Sequence, residues 1–231
     1  MDMEKAAYRT YVGPGSLYDI IGASQFALSV SCGLREQHLL LDFGCGSLRG
    51  GRFFIPYLRA GHYYGVEPNQ WLVDQAVQQE LGADMITLKA PHFAAVNDFS
   101  VPFDVPFHMI VAQSIFTHTG KDLMRRLFAS LAGAISPEGL ILATFFLDNS
   151  DEERSGWFYF DSLPNGQKVL AAYRQETVCA FAAEVGLHAR HIHFWHPAGQ
   201  QWFLFSKTAE RLPTAEQASH FYGLNVLPPL P

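Results

Sequence analysis

Two acids and a run of glycines are the residues whose types and spacing most plainly suggest chemistry. Asp42 closes an apolar run, Leu39-Leu40-Leu41, and Gly44 and Gly46 follow it in the segment LLLDFGCGSLRGG (39–51). A second apolar run, Tyr63-Tyr64-Gly65-Val66, closes on Glu67. Two parallel strands that end this way bring a glycine turn and a carboxylate to one sheet edge, where an adenosine-containing ligand can lie across both. Glycines at Gly44 and Gly46 free backbone N–H groups at a helix N-terminus to meet an anionic group. Glu67 is suited to accept from both ribose hydroxyls, with Pro68 and Asn69 beside it.

Those residues need strands and helices to hold them. Apolar residues recur at helical spacing over Ser16–Leu34, ahead of a strand at His38–Phe43. A helix at Gly50–Leu58 is short or kinked because Pro56 interrupts it. The strand Tyr63–Val66 and a helix over Asn69–Leu81 follow. Met85–Leu88 reads as a short strand in an ambiguous, proline-containing stretch. Phe107–Ala112 is a buried strand, Gly120–Ala134 an amphipathic helix and Gly139–Phe146 a strand after a Ser-Pro-Glu-Gly turn. Gln175–Val185 is helical. His188–Trp195 and Trp202–Ser206 form an antiparallel hairpin. Alternation of strand and helix with a closing hairpin predicts an α/β fold whose mainly parallel sheet has one reversed strand.

Composition narrows the partners. The chain has 231 residues, 48% of them hydrophobic, with a net charge of −6 and a pI near 5.9. This suits a folded domain acting on a small molecule, and argues against nucleic acid as the main partner. Arg49, Arg52 and Arg59 form the one tight basic cluster and read as a solvated helix face. The first residues, MDMEKAAYRT, lack a signal-like apolar core, and no apolar run reaches membrane-span length. Cys32, Cys45 and Cys179 lack metal spacing, so reduced thiols and a cytoplasmic location are expected.

The motifs resemble those of the class I S-adenosylmethionine-dependent methyltransferases. Asp42-Phe43-Gly44-Cys45-Gly46 is similar to their D-x-G-x-G core, and Glu67 to the acid ending their second strand. Phe107–His118 resembles their fourth-strand signature, and Ser136–Leu140 the turn before the fifth. The four occur in order over about Leu39–Ser206. One departure is Leu48, where many members carry a third alternating glycine. A nicotinamide dinucleotide fits less well, because Arg49 occupies the close-packing glycine position of G-x-G-x-x-G.

The resemblance implies a Rossmann-like methyltransferase sandwich: a mainly parallel seven-stranded sheet with a reversed terminal strand. It divides the chain into an N-terminal helical cover (1–37), a cofactor-binding domain (38–207) with an aromatic insertion at 148–173, and a peripheral tail (208–231). It implies S-adenosyl-L-methionine as cofactor, S-adenosyl-L-homocysteine as product and no metal. The cofactor-binding residues it implies are Asp42, Gly44, Cys45, Gly46, Glu67, Pro68, Asn69, Gln113 and Ser114, with Asp42 near the amino end of the methionine. Asn97, Asp98 and Phe99 are the candidates for reading adenine, or else an ordinary loop cap.

Ligands in such sheets lie beyond the C-terminal strand ends. That edge holds Gln113–His118, Leu147–Asp148 and the hairpin turn His196–Gln201. His196 and His118 are the candidate catalytic residues, His196 as general base or substrate contact; His118 reads equally as a loop-fixing residue. Trp157 and Tyr159 in the insertion read as an acceptor wall or as a satellite cluster. Tyr173, Gln201, Tyr18 and Gln25 complete the substrate-side candidates. His191 and His193 share a strand face but lack a third ligand, so no metal is expected. The expected reaction is methyl transfer to an oxygen, nitrogen or sulfur atom of a small molecule. The alternatives are a protein or RNA methyltransferase, or an S-adenosylmethionine-binding protein without activity. Oligomeric state is left open.

Overall fold

The computed structural model describes residues 3–155, 169–221 and 230–231. Two helices, α1 (Met3–Tyr11) and α2 (Tyr18–Ser31), precede β1 (Leu40–Phe43), α3 (Gly51–Tyr57) and β2 (Tyr63–Val66). Next come α4 (Gln70–Ala76), which runs into a π-helical turn at Val77–Leu81, then α5 (Ala83–Lys89) and β3 (His92–Ala94). The second half holds β4 (Phe107–Ala112), α6 (Lys121–Ala134), β5 (Ile135–Leu147), β6 (Glu152–Ser155) and β7 (Val169–Tyr173). It ends with α7 (Gln175–Glu184), β8 (His188–Ile192), β9 (Gln201–Ser206) and α8 (Ala215–Ser219).

The main sheet has the order β3-β2-β1-β4-β5-β9-β8, parallel except for β9, which runs antiparallel to both neighbours. This is the expected seven-stranded sheet with one reversed strand. A β6–β7 ribbon joins the far end of β5 through Phe146 and Leu147. Every residue of β1 is buried, and so are five of the six in β4, because helices cover both sheet faces. From β1 the chain steps outward to β2 and β3, then crosses back to β4 on the other side of β1. The reversal opens a crevice beyond the C-terminal ends of β1 and β4, the place where open α/β sheets bind ligands.

Some local expectations need correction. Met85–Leu88 is helical: Gly82 (φ +84°) resets the chain, Asp84 favours the new helix's N-terminal turn, and Leu88 points to solvent. The third strand is instead His92–Ala94. The tail is not wholly peripheral. α8 starts with a capping box between Thr214 and Gln217, and Ala218 and Phe221 are buried. Leu230 is also buried; its carbonyl accepts from His38 Nε2 at 3.2 Å, since His38 Nδ1 is taken by the Arg35 N–H. No helix among the described residues is long and apolar enough to cross a membrane.

Candidate functional site

The crevice is lined from five directions. β1 and its turn contribute Asp42, Phe43, Gly44, Cys45, Gly46, Arg49 and Gly50, while Val66, Glu67, Pro68, Asn69 and Leu72 follow from β2. The stretch after β3 adds Val96, Asn97 and Phe99, and the end of β4 adds Gln113, Ser114, Ile115, His118 and Thr119. Tyr11, Val12 and Gln25 close it from the N-terminal cover.

The turn after β1 needs left-handed backbone. Gly44 (φ +73°), Gly46 (φ +53°) and Leu48 (φ +54°) all adopt it. A Cβ on Gly46 would stand 2.8 Å from Val12 Cγ1, so the turn also leaves no room for a side chain under the cover. Leu48 holds the conformation that glycine favours because its side chain is fully buried. Left-handed leucine costs about 1–2 kcal/mol, whereas emptying a buried leucine site costs about 2–5 kcal/mol. Leu48→Gly is therefore expected to lower stability by about 1–2 kcal/mol despite relieving strain; urea unfolding measures it.

The backbone donors differ from the sequence expectation. Gly44 and Cys45 N–H both donate to the Val66 carbonyl, at 2.8 and 3.0 Å, and Gly46 N–H donates to Glu67 Oε2 at 3.0 Å. The turn thus spends these donors tying β1 to β2 and fixing Glu67, rather than offering them to a ligand. Glu67 Oε1 accepts from Asn69 N and Nδ2, each at 2.9 Å. Burial pushes the Glu67 carboxyl up, and the bonds from Asn69 and Gly46 pull it back.

Asp42 accepts from the Tyr63 hydroxyl at 2.8 Å. Burial raises its carboxyl to about 7, against the pull of Tyr63 and Arg49. An unfolded Asp titrates near about 3.9, so between about pH 4 and 7 the folded chain holds a proton that the unfolded chain has released. The contribution of Asp42 to stability is then greatest at the acid end and declines as pH rises. Asp42→Asn is expected to remove that slope, read as the difference between wild-type and variant unfolding free energies across this range.

Of the three residues proposed to read adenine, Asn97 and Phe99 line the crevice, Phe99 again with a left-handed φ of +62°. Asp98 does not: it is exposed, turned away, and accepts from Ser100 N at 2.9 Å. It is a loop cap, the second of the two readings.

At the end of β4, Gln113 and Ser114 line the crevice as expected. Ser114 (φ +61°) donates its N–H to Thr144 Oγ1 at 2.7 Å, and Gln200 Nε2 donates to its hydroxyl at 2.9 Å. His118 lies on the crevice wall in a 3-10 turn, Phe116–His118. His196 does not line it. Its ring is buried behind Gln113 and held down to about 4, first by burial and then by the charge of Arg49. The His196 ring therefore does not face the crevice directly, as a general base or substrate contact would.

Other substrate-side candidates also sit behind the wall. Tyr18 is fully buried and donates to Ser47 O at 2.7 Å, and Tyr173 donates to Thr119 O at 2.6 Å. Both brace crevice loops rather than face a ligand. Gln201 pairs with His191 at 3.1 Å; its neighbour Gln200, just ahead of β9, does not line the crevice but bonds Ser114, which does. Gln25 does line the crevice. Trp157 and Tyr159 lie outside the described residues.

Tyr11, Val12, Thr144 and Arg49 were missed. Arg49 reads as solvated in the sequence, but it turns inward and donates Nη1 to Val12 O at 2.8 Å, tying the cover to the turn. Burial lowers its guanidinium to about 10. Arg52 also points inward, pairing with Asp19 and Glu80, and only Arg59 keeps an exposed side chain.

No protein-family model matches the sequence. Solved structures do match in shape. DesVI of Streptomyces venezuelae superposes with a TM-score of 0.63 at 15% identity, covering 90% of this chain and 99% of that one. The glycopeptide N-methyltransferase MtfA, complexed with S-adenosyl-L-methionine, gives 0.61 at 12% identity, over 81% and 94%. The chain has the class I methyltransferase fold. A third structure with this methyltransferase fold, the magnesium protoporphyrin IX methyltransferase ChlM of Synechocystis with bound S-adenosylmethionine, gives 0.59 at 14% identity, over 90% and 92%. Within the methyltransferase fold, the crevice of this chain sits at the strand-order reversal between β1 and β4.

Proposed function

We propose that this chain is an S-adenosylmethionine-dependent methyltransferase acting on an oxygen, nitrogen or sulfur atom of a small molecule. One observation carries the reading: Glu67, buried in the crevice wall, is held by Gly46 N and Asn69 with an oxygen turned to the same space as the glycine turn. Three of the carboxylate's roughly four lone-pair positions are used. A ribose hydroxyl takes the fourth, and a second replaces the Asn69 side-chain bond. The cradle fits the group in other respects. Val66, Pro68, Leu72, Val96 and Phe99 offer apolar surface for adenine, Asn97 offers an amide for its edge, and Asp42 offers a carboxylate for an ammonium group.

Bound S-adenosylmethionine supplies a methyl group already activated by its sulfonium. The protein's task is then alignment, which can account for about 7–11 kcal/mol of a barrier. Ser114 and His118 face the acceptor side, and the bonds to Thr144 and from Gln200 hold Ser114 in place. His118 accepts the proton that a hydroxyl or amine acceptor must lose. The cover residues Tyr11 and Val12 exclude water from the crevice. Acidic net charge favours a small metabolite in the cytoplasm over nucleic acid. MtfA and ChlM, named as glycopeptide and protoporphyrin methyltransferases, support a small-molecule acceptor.

The test is consumption of S-adenosylmethionine in the presence of fractionated metabolite extracts, followed by mass spectrometry. One fraction should gain a methyl group while S-adenosylhomocysteine accumulates. No turnover with any fraction, by protein that binds the cofactor, would contradict the transferase reading.

A further inference from the structure

The residues that methyl transfer leaves unused meet at the turn between β8 and β9. Ala198 N–H donates to His196 Nδ1 at 3.1 Å. In a neutral imidazole the other nitrogen then carries the proton, and burial keeps the ring neutral. The amide atom 2.8 Å from that Nε2–H is Gln113 Nε2, itself a donor, so the pair can bond only with the amide turned over. A donor must meet an acceptor, so the Gln113 carbonyl oxygen is the atom turned toward His196. Turned over, the amide oxygen gains a partner, and the –NH2 takes the buried position, unpartnered among the described residues, that the oxygen leaves. What Gln113 then shows the crevice is its –NH2.

A second donor waits in the same crevice. Arg49 Nε is shielded from solvent and has no hydrogen-bond partner among the described residues, and the Arg49 charge reaches His196. The register pairs Asp42 with Val111, so two residues on Gln113 stands level with Gly44, beside the glycine turn. The backbone donors of Gly44, Cys45 and Gly46 are already committed to Val66 and Glu67. Those three N–H groups are therefore withdrawn from an anionic oxygen bound beside the turn, and side-chain donors can meet it in their place.

We propose that His196 is a positioning residue: one Nε2–H bond locks the Gln113 amide with its –NH2 toward the crevice, where it joins Arg49 in recognising the ligand's carboxylate. The identity of the ligand rests on the S-adenosyl reading above; the lock does not. His196 thereby contributes to ligand selection without touching the ligand.

Two measurements test it. Nitrogen-15 spectra of the ligand-free protein read the tautomer, with the His196 signals assigned by their loss in His196→Gln. A protonated Nε2 beside a bare Nδ1 is expected, and the opposite tautomer would overturn the lock whatever the protein binds. Wild type, His196→Leu and His196→Gln are then titrated with S-adenosylhomocysteine and with 5′-methylthioadenosine, which has the same adenosine and a thioether but lacks the amino-acid end. His196→Leu should weaken S-adenosylhomocysteine about tenfold and leave methylthioadenosine unchanged. His196→Gln, whose amide can donate to Gln113, should restore most of the loss. Equal losses for both ligands, or no loss for either, would overturn carboxylate recognition. Failure of wild type to bind either ligand would overturn it together with the S-adenosyl reading, while the nitrogen spectrum still decides the lock.

Discussion

Replacing Glu67 with alanine is expected to weaken S-adenosylhomocysteine about a hundredfold or more, because each hydrogen bond to a charged group is worth about 1.5–3 kcal/mol and the ribose offers two hydroxyls. The variant loses more than the direct contact. Gly46 N–H and Asn69 N–H both donate to this carboxylate, so its removal also loosens the turn that meets the rest of the ligand. Glu67→Gln should fall between wild type and Glu67→Ala, since the amide keeps one accepting oxygen but loses the charge. Stability should fall as well, by about 1–3 kcal/mol, because Gly46 and Asn69 N–H lose their acceptor. Calorimetric titration measures the first quantity and urea unfolding the second. An unchanged affinity in Glu67→Ala would refute the ribose assignment.

The largest stability effect is expected from one methyl group. α2 crosses the glycine turn at Gly22, where an added Cβ would overlap the Arg49 carbonyl oxygen and stand 3.1 Å from Phe53 Cε2. The obstructing atom is backbone, so relief requires α2 or the turn itself to shift. Alanine normally improves a helix over glycine by about 1 kcal/mol, which makes the sign diagnostic. Gly22→Ala should destabilise by about 2–3 kcal/mol and lower Tm by about 5–10 °C. Displacing Arg49 should also weaken ligand binding. Gly133→Ala, in α6 with open space around its Cβ, should instead be neutral or stabilising. A Gly22→Ala protein as stable as wild type would mean that α2 does not rest on the turn.

How much of this could be read from the sequence depended on distance along the chain. Asp42, Gly44, Gly46 and Glu67 were legible because each follows a buried strand directly, and strand endings fix where such residues go. The reversed strand was legible from two apolar runs joined by a short turn. What the N–H groups of the turn bind was not, because Val66 and Glu67 become their partners only once β1 and β2 pair in register. The same limit separates Gln200 from Gln201: they are adjacent in the chain, yet one bonds Ser114 and the other His191, and only the folded turn ahead of β9 fixes which. Arg49 reads as a solvated helix residue until α1 and α2 cover it. Met85–Leu88 misled because four apolar and β-branched residues are too few to separate strand from helix, and the deciding residues were Gly82 and Asp84 beside them. His196 does lie at the expected sheet edge, but that its ring sits behind Gln113, with Nδ1 taken by Ala198 N–H, appears only in the folded turn.

That one ligand spans the glycine turn and Glu67 is measured most directly by titrating the wild-type protein with S-adenosylhomocysteine in a calorimeter. Saturable one-to-one binding in the micromolar range is expected, with proton release on the acid side of neutrality as the ligand's ammonium group ionises Asp42. No binding at millimolar ligand would contradict an S-adenosyl site at this edge of the sheet.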